Sequence, residues 1–78
     1  MHTGLLWYDD DQGTDLAHKV ARAAARYRQK YGLVPNTCFV HPSALGGNGK
    51  TLQVGPVRIT SMPSVLRHHF WIGVQDGN

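Results

Sequence analysis

The chain has 78 residues, of which 41% are hydrophobic, and it carries a formal net charge of +3 at pH 7. This length predicts one small domain, residues 1–78, with a thin core. The sequence has no apolar run of the roughly 18 residues that a membrane span needs, so we expect no membrane partner. The single Cys38 cannot form an internal disulfide, so the sequence predicts a cytoplasmic protein.

Charge is segregated along the sequence. Four of the five acids lie between Asp9 and Asp15, whereas the segment from Leu16 to Lys30 contains five basic residues and no acid. A basic chain with this pattern favours an acidic partner, either nucleic acid or an acidic protein surface.

The first predicted element is a strand over Gly4–Tyr8, which is apolar on both faces and is therefore expected at the centre of a sheet. An acidic turn, Asp9–Gly13, ends it. Carboxylates at a strand end are typical of Mg²⁺ sites, but the ligand spacing of a calcium loop is missing. We therefore interpret Asp9, Asp10 and Asp11 as a solvated turn and expect no bound metal.

An amphipathic helix is predicted over Asp15–Tyr31. Thr14 is its expected N-cap, Asp15 its first residue and Gly32 its C′ residue. One stripe of about 100° is apolar and should face the core. Its members are Leu16, Val20, Ala23, Ala24, Tyr27 and Tyr31.

The neighbouring stripe of this helix is entirely basic. Its members, which we call the basic row, are Lys19, Arg22, Arg26 and Lys30. A solvated helix usually alternates the sign of its charges at i,i+4 spacing, and this one does not. The first functional hypothesis is therefore a non-enzymatic binding module whose basic row contacts an anionic partner, with Arg28 and Lys50 as further contacts.

Four β-rich segments follow the helix, and they predict an α+β fold: a two-layer β-α-β-β-β sandwich with one helix on a single mixed sheet. A split at Gly55-Pro56 would add one more strand. A crossover through the helix should make the first two strands parallel. A loop around Pro63, with one helical turn at Ser64–Arg67, precedes the last strand. The β-rich segments are Thr37–His41, Thr51–Val54, Val57–Thr60 and Phe70–Gln75, and the middle two form one edge strand if Gly55-Pro56 is a bend rather than a hairpin turn.

Other motifs give no complete catalytic set. Gly46–Thr51 resembles a phosphate-binding loop, but the first glycine of that motif is absent and a strand, not a helix, should follow. Cys38 and His41 have the spacing of two zinc ligands without a second pair. The adjacent His68 and His69 should point to opposite sides of the chain. We therefore expect no enzyme activity and no cofactor.

The sheet face away from the helix is the second candidate surface. Val57, Ile59, Phe70, Ile72 and Val74 should point toward the helix. Their neighbours Arg58, Trp71 and His69 should point away and form a weaker partner-binding face. The alternative hypothesis is a self-associating structural protein, a homo-oligomer that pairs through this face or through an exposed edge strand at Val54–Ile59.

Overall fold

The computed structural model describes residues 4–47 and 50–75. It confirms an α+β fold in which one helix packs on a five-stranded mixed sheet. No helix within the described ranges is long and apolar enough to cross a membrane. The elements are β1 (Gly4–Tyr8), α1 (Leu16–Tyr31), β2 (Thr37–Val40), a 3₁₀ turn (Pro42–Ala44), β3 (Thr51–Val54), β4 (Val57–Ser61) and β5 (His69–Gly73).

Four strands follow the helix along the chain, so the prediction with the additional strand, split at Gly55-Pro56, is correct. Gly55 and Pro56 connect β3 to β4 as a two-residue hairpin turn, and Val54 pairs with Val57 across it. Gly55 has φ +56°, which suits the first central position of such a turn. The segment Ser64–Arg67 forms turns rather than the predicted helical turn.

The strand order in the sheet is β1-β5-β2-β4-β3. β5 is antiparallel to both β1 and β2, so the latter two run in the same direction with β5 between them. β2 and β4 are parallel neighbours. The prediction that β1 is central is wrong, because β1 is an edge strand. The predicted edge at Val54–Ile59 is also wrong, since β4 lies between β2 and β3, and β3 is the second edge.

The caps of α1 explain where it begins and ends. Asp15, not Thr14, is the N-cap, and its carboxylate accepts the His18 backbone N–H at 2.9 Å. The predicted C′ residue is confirmed: Gly32 has φ +70°, and its N–H donates to the Arg28 carbonyl at 2.8 Å. A left-handed backbone at this position favours glycine because it has no Cβ.

The core lies between α1 and one face of the sheet. The predicted apolar stripe of the helix is confirmed, since three of its members are buried and the other three pack against them. Of the five residues predicted to face the helix, Val57, Ile59, Phe70 and Ile72 are buried, and Val74, just beyond β5, is half-buried and packs against them. The buried hydrophobic residues are Val20, Ala23, Tyr27, Cys38, Val40, Val57, Ile59, Phe70 and Ile72.

Candidate functional site

The basic row divides into one half-buried residue, Lys19, and three exposed ones. Only 13% of the Lys19 side chain is exposed; its ammonium donates to the Asp9 carbonyl oxygen at 3.2 Å and lies 3.8 Å from the Asp9 carboxylate. Arg22, Arg26 and Lys30 are exposed, and no salt bridge joins them to a carboxylate within the described ranges. The expectation of four unpaired cations is therefore wrong for Lys19, because the turn after β1 brings Asp9 against the helix.

The remaining three residues, which we call the exposed basic row (Arg22, Arg26 and Lys30), follow one stripe of α1 because they are spaced four residues apart. The ammonium of Lys30 lies 5.4 Å from the ring centroid of Tyr31, whose ring also packs on Tyr27. The exposed Lys30 ammonium therefore lies beside a ring that packs against the core.

Part of this row borders the open edge of the sheet. Arg26, Gln29 and Lys30 form one side of an open groove of about 540 Å³, and the β1 segment Leu5–Trp7 forms the other. Nothing in the sequence indicated that the cations of α1 and the strand β1 lie side by side. The strand order joins them, because it leaves β1 at the edge beside α1.

Trp7 lines the groove from the core side. Its indole packs against the core, and its Nε1 is buried without a hydrogen-bond partner among the residues that the structure describes. A buried donor in this state costs about 1–3 kcal/mol. The indole is therefore held by packing rather than by a hydrogen bond. Because Trp7 lines the groove, the NMR signal of its indole N–H can report on a ligand bound there.

The predicted sheet face is not one site. Trp71 and His69 do lie on the face away from the helix, where Trp71 pairs with Leu6 and with Phe39 in the neighbouring strands. Arg58 lies elsewhere on that face, beside Gln53 and Thr37. The structure therefore separates Arg58 from the aromatic pair.

Aromatic contacts organise the part of this face near β1. The rings of Phe39 and Trp71 have centroids 5.9 Å apart, and those of Tyr8 and His69 lie 4.8 Å apart. His69 Nδ1 is 3.0 Å from the Arg67 carbonyl oxygen, so this nitrogen carries the proton. His69 is thus oriented by its own loop and its neighbouring ring.

A second groove, of about 370 Å³ and lined mostly by apolar side chains, lies on the same face. The loop between β4 and β5 forms one wall with Met62, Val65 and Leu66. Leu6 on β1 is 64% exposed and Leu66 is 69% exposed, so much of this wall is open to solvent. Two of the residues predicted for this face, Trp71 and His69, line the groove together with Phe39, whereas Arg58 does not, so the surface is apolar and aromatic without the predicted cation.

The acidic turn uses its carboxylates to hold its own backbone. Asp9 accepts the Asp11 N–H at 3.0 Å, and Asp11 accepts the Gly13 N–H at 2.9 Å and the Thr14 hydroxyl at 2.7 Å. The Thr14 hydroxyl and then the Gly13 N–H lower the pKa of Asp11 below its usual value, with smaller contributions from nearby cations. These bonds account for the conformation of the turn.

A smaller polar cleft of about 240 Å³ lies where β1 and β2 end. The ring of His41 accepts the backbone N–H of Ser43 at 3.1 Å, and the Ser43 hydroxyl lies 2.8 Å from the same nitrogen. His68 has a left-handed backbone with φ +64°. Lys19 also lines this cleft and is already paired. His41 and Lys19 therefore both have partners within the fold, and these contacts explain why the two polar side chains lie in the cleft.

The remaining sequence motifs lie apart from these surfaces. Cys38 is buried under the helix, and burial raises the pKa of its thiol to about 12. In the glycine-rich stretch, Asn48 and Gly49 lie outside the described residues, and after Lys50 strand β3 begins at Thr51. Across residues 4–47 and 50–75, no three His, Cys, Asp or Glu side chains are grouped to hold a metal ion.

Sequence reasoning missed the contribution of β1 to a surface. Leu5, Leu6 and Trp7 were expected inside the sheet, and a stretch that is apolar on both faces gives no other indication. The exposed backbone edge depends on where β5 inserts, which is a long-range property. Comparison of the chain with protein-family models, with curated proteins and with solved structures gives no match.

Proposed function

We propose that this chain is a non-enzymatic binding module that contacts an anionic partner through Arg22, Arg26 and Lys30. The observation that supports it most is the exposed basic row itself: three exposed cations lie on one stripe of a helix without a salt bridge in the described part of the chain. Arg22 lies near enough to Asp11 to lower the pKa of that carboxyl, but none of the three forms a salt bridge within the described ranges, so their charge can act on a partner.

Charge reversal with a matched control tests the proposal. The variant R22E/R26E and the control R58E/R67E change the net charge equally, and all four residues are exposed. Binding is measured against two probes, a single-stranded oligonucleotide and a polyglutamate peptide, over a range of salt concentrations. We expect the first variant to weaken binding at least about tenfold and the control to change it far less.

The salt dependence identifies the kind of anion. For an oligonucleotide, the logarithm of the binding constant should fall with the logarithm of salt concentration by about 0.7–0.9 per phosphate neutralised. Equal losses in both variants would show that only overall charge matters. Absence of binding to either probe at low salt would contradict the proposal.

A second candidate function is self-association through the face away from the helix. Three large apolar side chains are exposed there, Leu6, Tyr8 and Leu66. Contiguous exposed apolar residues are typical of protein contact surfaces. We expect Leu66→Lys to reduce any concentration-dependent sedimentation, whereas Leu33→Lys, which changes a leucine that is 55% exposed in another loop, leaves it unchanged. A chain that is monomeric at all concentrations would contradict this candidate.

A further inference from the structure

The hydrogen-bond ladder shows which backbone groups of β1 are free. The Asp9 N–H donates to the His68 carbonyl at 2.9 Å, immediately beyond the pair Tyr8–His69. Bonded and non-bonded pairs alternate in an antiparallel ladder. The backbone groups of Leu5 and Trp7 therefore point to β5, whereas those of Leu6 and Tyr8 point outward from the sheet.

No strand of the described chain covers this outer side of β1. A strand edge that has unpaired N–H and C=O groups and no charged side chains is a template for another strand. β1 (Gly4–Tyr8) contains no charged side chain. The two sides of this edge differ in chemistry. The helix side has the groove with Arg26 and Lys30, and the other side has the exposed side chains of Leu6 and Tyr8.

We propose that β1 binds an extended segment of a partner protein in which acidic and apolar residues alternate, and that this segment adds to the sheet as a sixth strand. The inference rests on the proposed function and names its partner. Successive side chains of a strand point to opposite faces. The acidic residues of the segment would therefore lie beside Arg26 and Lys30, and the apolar ones beside Leu6 and Tyr8.

Charge complementarity favours such a segment over a second copy of this chain. Antiparallel pairing of two β1 strands would place both helices on the same face of the joined sheet, and Arg26 and Lys30 of the two copies would then approach one another. β1 itself contains no carboxylate to offset this repulsion. The carboxylates of the turn that follows it are already bonded within their own copy, to Lys19, to the Tyr8 hydroxyl and to the Thr14 hydroxyl. Nucleic acid fits less well, because its backbone lacks the alternating donors and acceptors that a strand edge pairs with.

The test uses a capped seven-residue peptide of alternating glutamate and valine, with a peptide of equal composition in two blocks as its control. Two further versions carry N-methyl groups on all valines or on all glutamates. In an added strand, the N–H groups of alternate residues point to β1 and the others point away. We expect one methylated version to lose binding at least about tenfold and the other to retain it.

Amide hydrogen exchange locates the peptide. The amides of Leu6 and Tyr8 should exchange at least about tenfold more slowly with the peptide bound. In NMR spectra, the chemical shift of the Trp7 indole N–H should change when the peptide binds. The variant R26E/K30E should lose binding, whereas R58E/R67E, with the same change in charge, should keep it. The block peptide should bind more weakly than the alternating one.

The outcomes separate this inference from the proposed function. If both methylated peptides bind like the parent and R26E/K30E still abolishes binding, the cations bind anions but β1 does not add a strand. If an oligonucleotide binds and the peptide does not, nucleic acid is the partner and the inference is wrong. If neither binds, both proposals are wrong. Protection of Leu6 and Tyr8 that depends on protein concentration, without peptide, would assign the edge to a second copy.

Discussion

The indole ring of Trp71 lies directly over Gly4 on the neighbouring strand, in space that the Cβ of any other residue would occupy. Gly4 pairs with Gly73, and Trp71 pairs with Leu6, so the ring reaches diagonally across the ladder. Diagonal neighbours on one face of a sheet are within reach of an aromatic side chain. The absence of a side chain at Gly4 therefore determines the position of the indole.

Gly4→Ala should destabilise the protein, because its methyl group would overlap Cε2 and Cζ2 of Trp71. We expect the free energy of unfolding to fall by about 1–3 kcal/mol, as in other overpacked sites. Chemical denaturation measures the change. In the background of Trp71→Leu the same substitution should cost much less, and an equal cost in both backgrounds would contradict the contact.

Removal of the charge of Lys19 should change the free energy of unfolding more than removal of the charge of Arg22, although both residues belong to the basic row. Lys19→Met leaves Asp9, whose side chain is 14% exposed, without its cation, so we expect a loss of about 1–3 kcal/mol in the free energy of unfolding. Arg22→Met changes an exposed side chain and should alter it by less than about 0.5 kcal/mol. Similar values from denaturant unfolding would show that Lys19 is not part of the fold.

The carboxylate of Asp15 should make the stability of the protein depend on pH in the acidic range. The backbone N–H of His18, and then its side chain, lower the pKa of Asp15 in the folded state. A lowered folded pKa gives stability that is present above the unfolded pKa, about 3.9, and is lost as the pH falls through the folded value. Unfolding curves of the wild type should therefore lose more stability below about pH 4 than those of Asp15→Asn, which cannot titrate.

Asn keeps an oxygen that accepts the His18 N–H, so Asp15→Asn separates the titration from the cap itself. Asp15→Ala removes both and should be less stable than either protein at neutral pH. Identical acid sensitivity in the wild type and in Asp15→Asn would show that this carboxylate does not contribute.

The thiol of Cys38 should be inert in the folded protein. It is buried, and burial raises its pKa to about 12, so very little thiolate forms at neutral pH. A thiol reagent should therefore react at the rate at which the protein opens and should react rapidly in denaturant. Cys38→Ala supplies the background signal. Rapid modification under native conditions would contradict the packing of β2 under the helix.

The helix and its faces could be predicted because they depend on local spacing. The apolar positions repeat with the helical period, and Gly32 terminates the helix through a backbone conformation that other residues adopt at a cost. The exact N-cap could not be chosen, since Thr14 and Asp15 are both good capping residues. The structure selects Asp15 because Thr14 donates its hydroxyl to Asp11 instead.

The position of β1 could not be predicted, because it depends on pairing between distant parts of the chain. Leu6 and Tyr8 are apolar, and an apolar strand indicates burial on both faces. The last strand, however, takes the place beside β2 and leaves β1 outside. The pairing of Lys19 with Asp9 has the same origin: it requires the geometry of the turn rather than a sequence spacing.

The place of β5 in the sheet has a consequence during synthesis on the ribosome. β1 and β2 have no contact in the sheet until the segment His69–Gly73 inserts between them. The hairpin of β3 and β4 forms from neighbouring residues, but the middle of the sheet must wait until Gly73 has left the exit tunnel. During that interval the apolar first strand lacks β5, its neighbour in the sheet, which makes the nascent chain a candidate for chaperone binding.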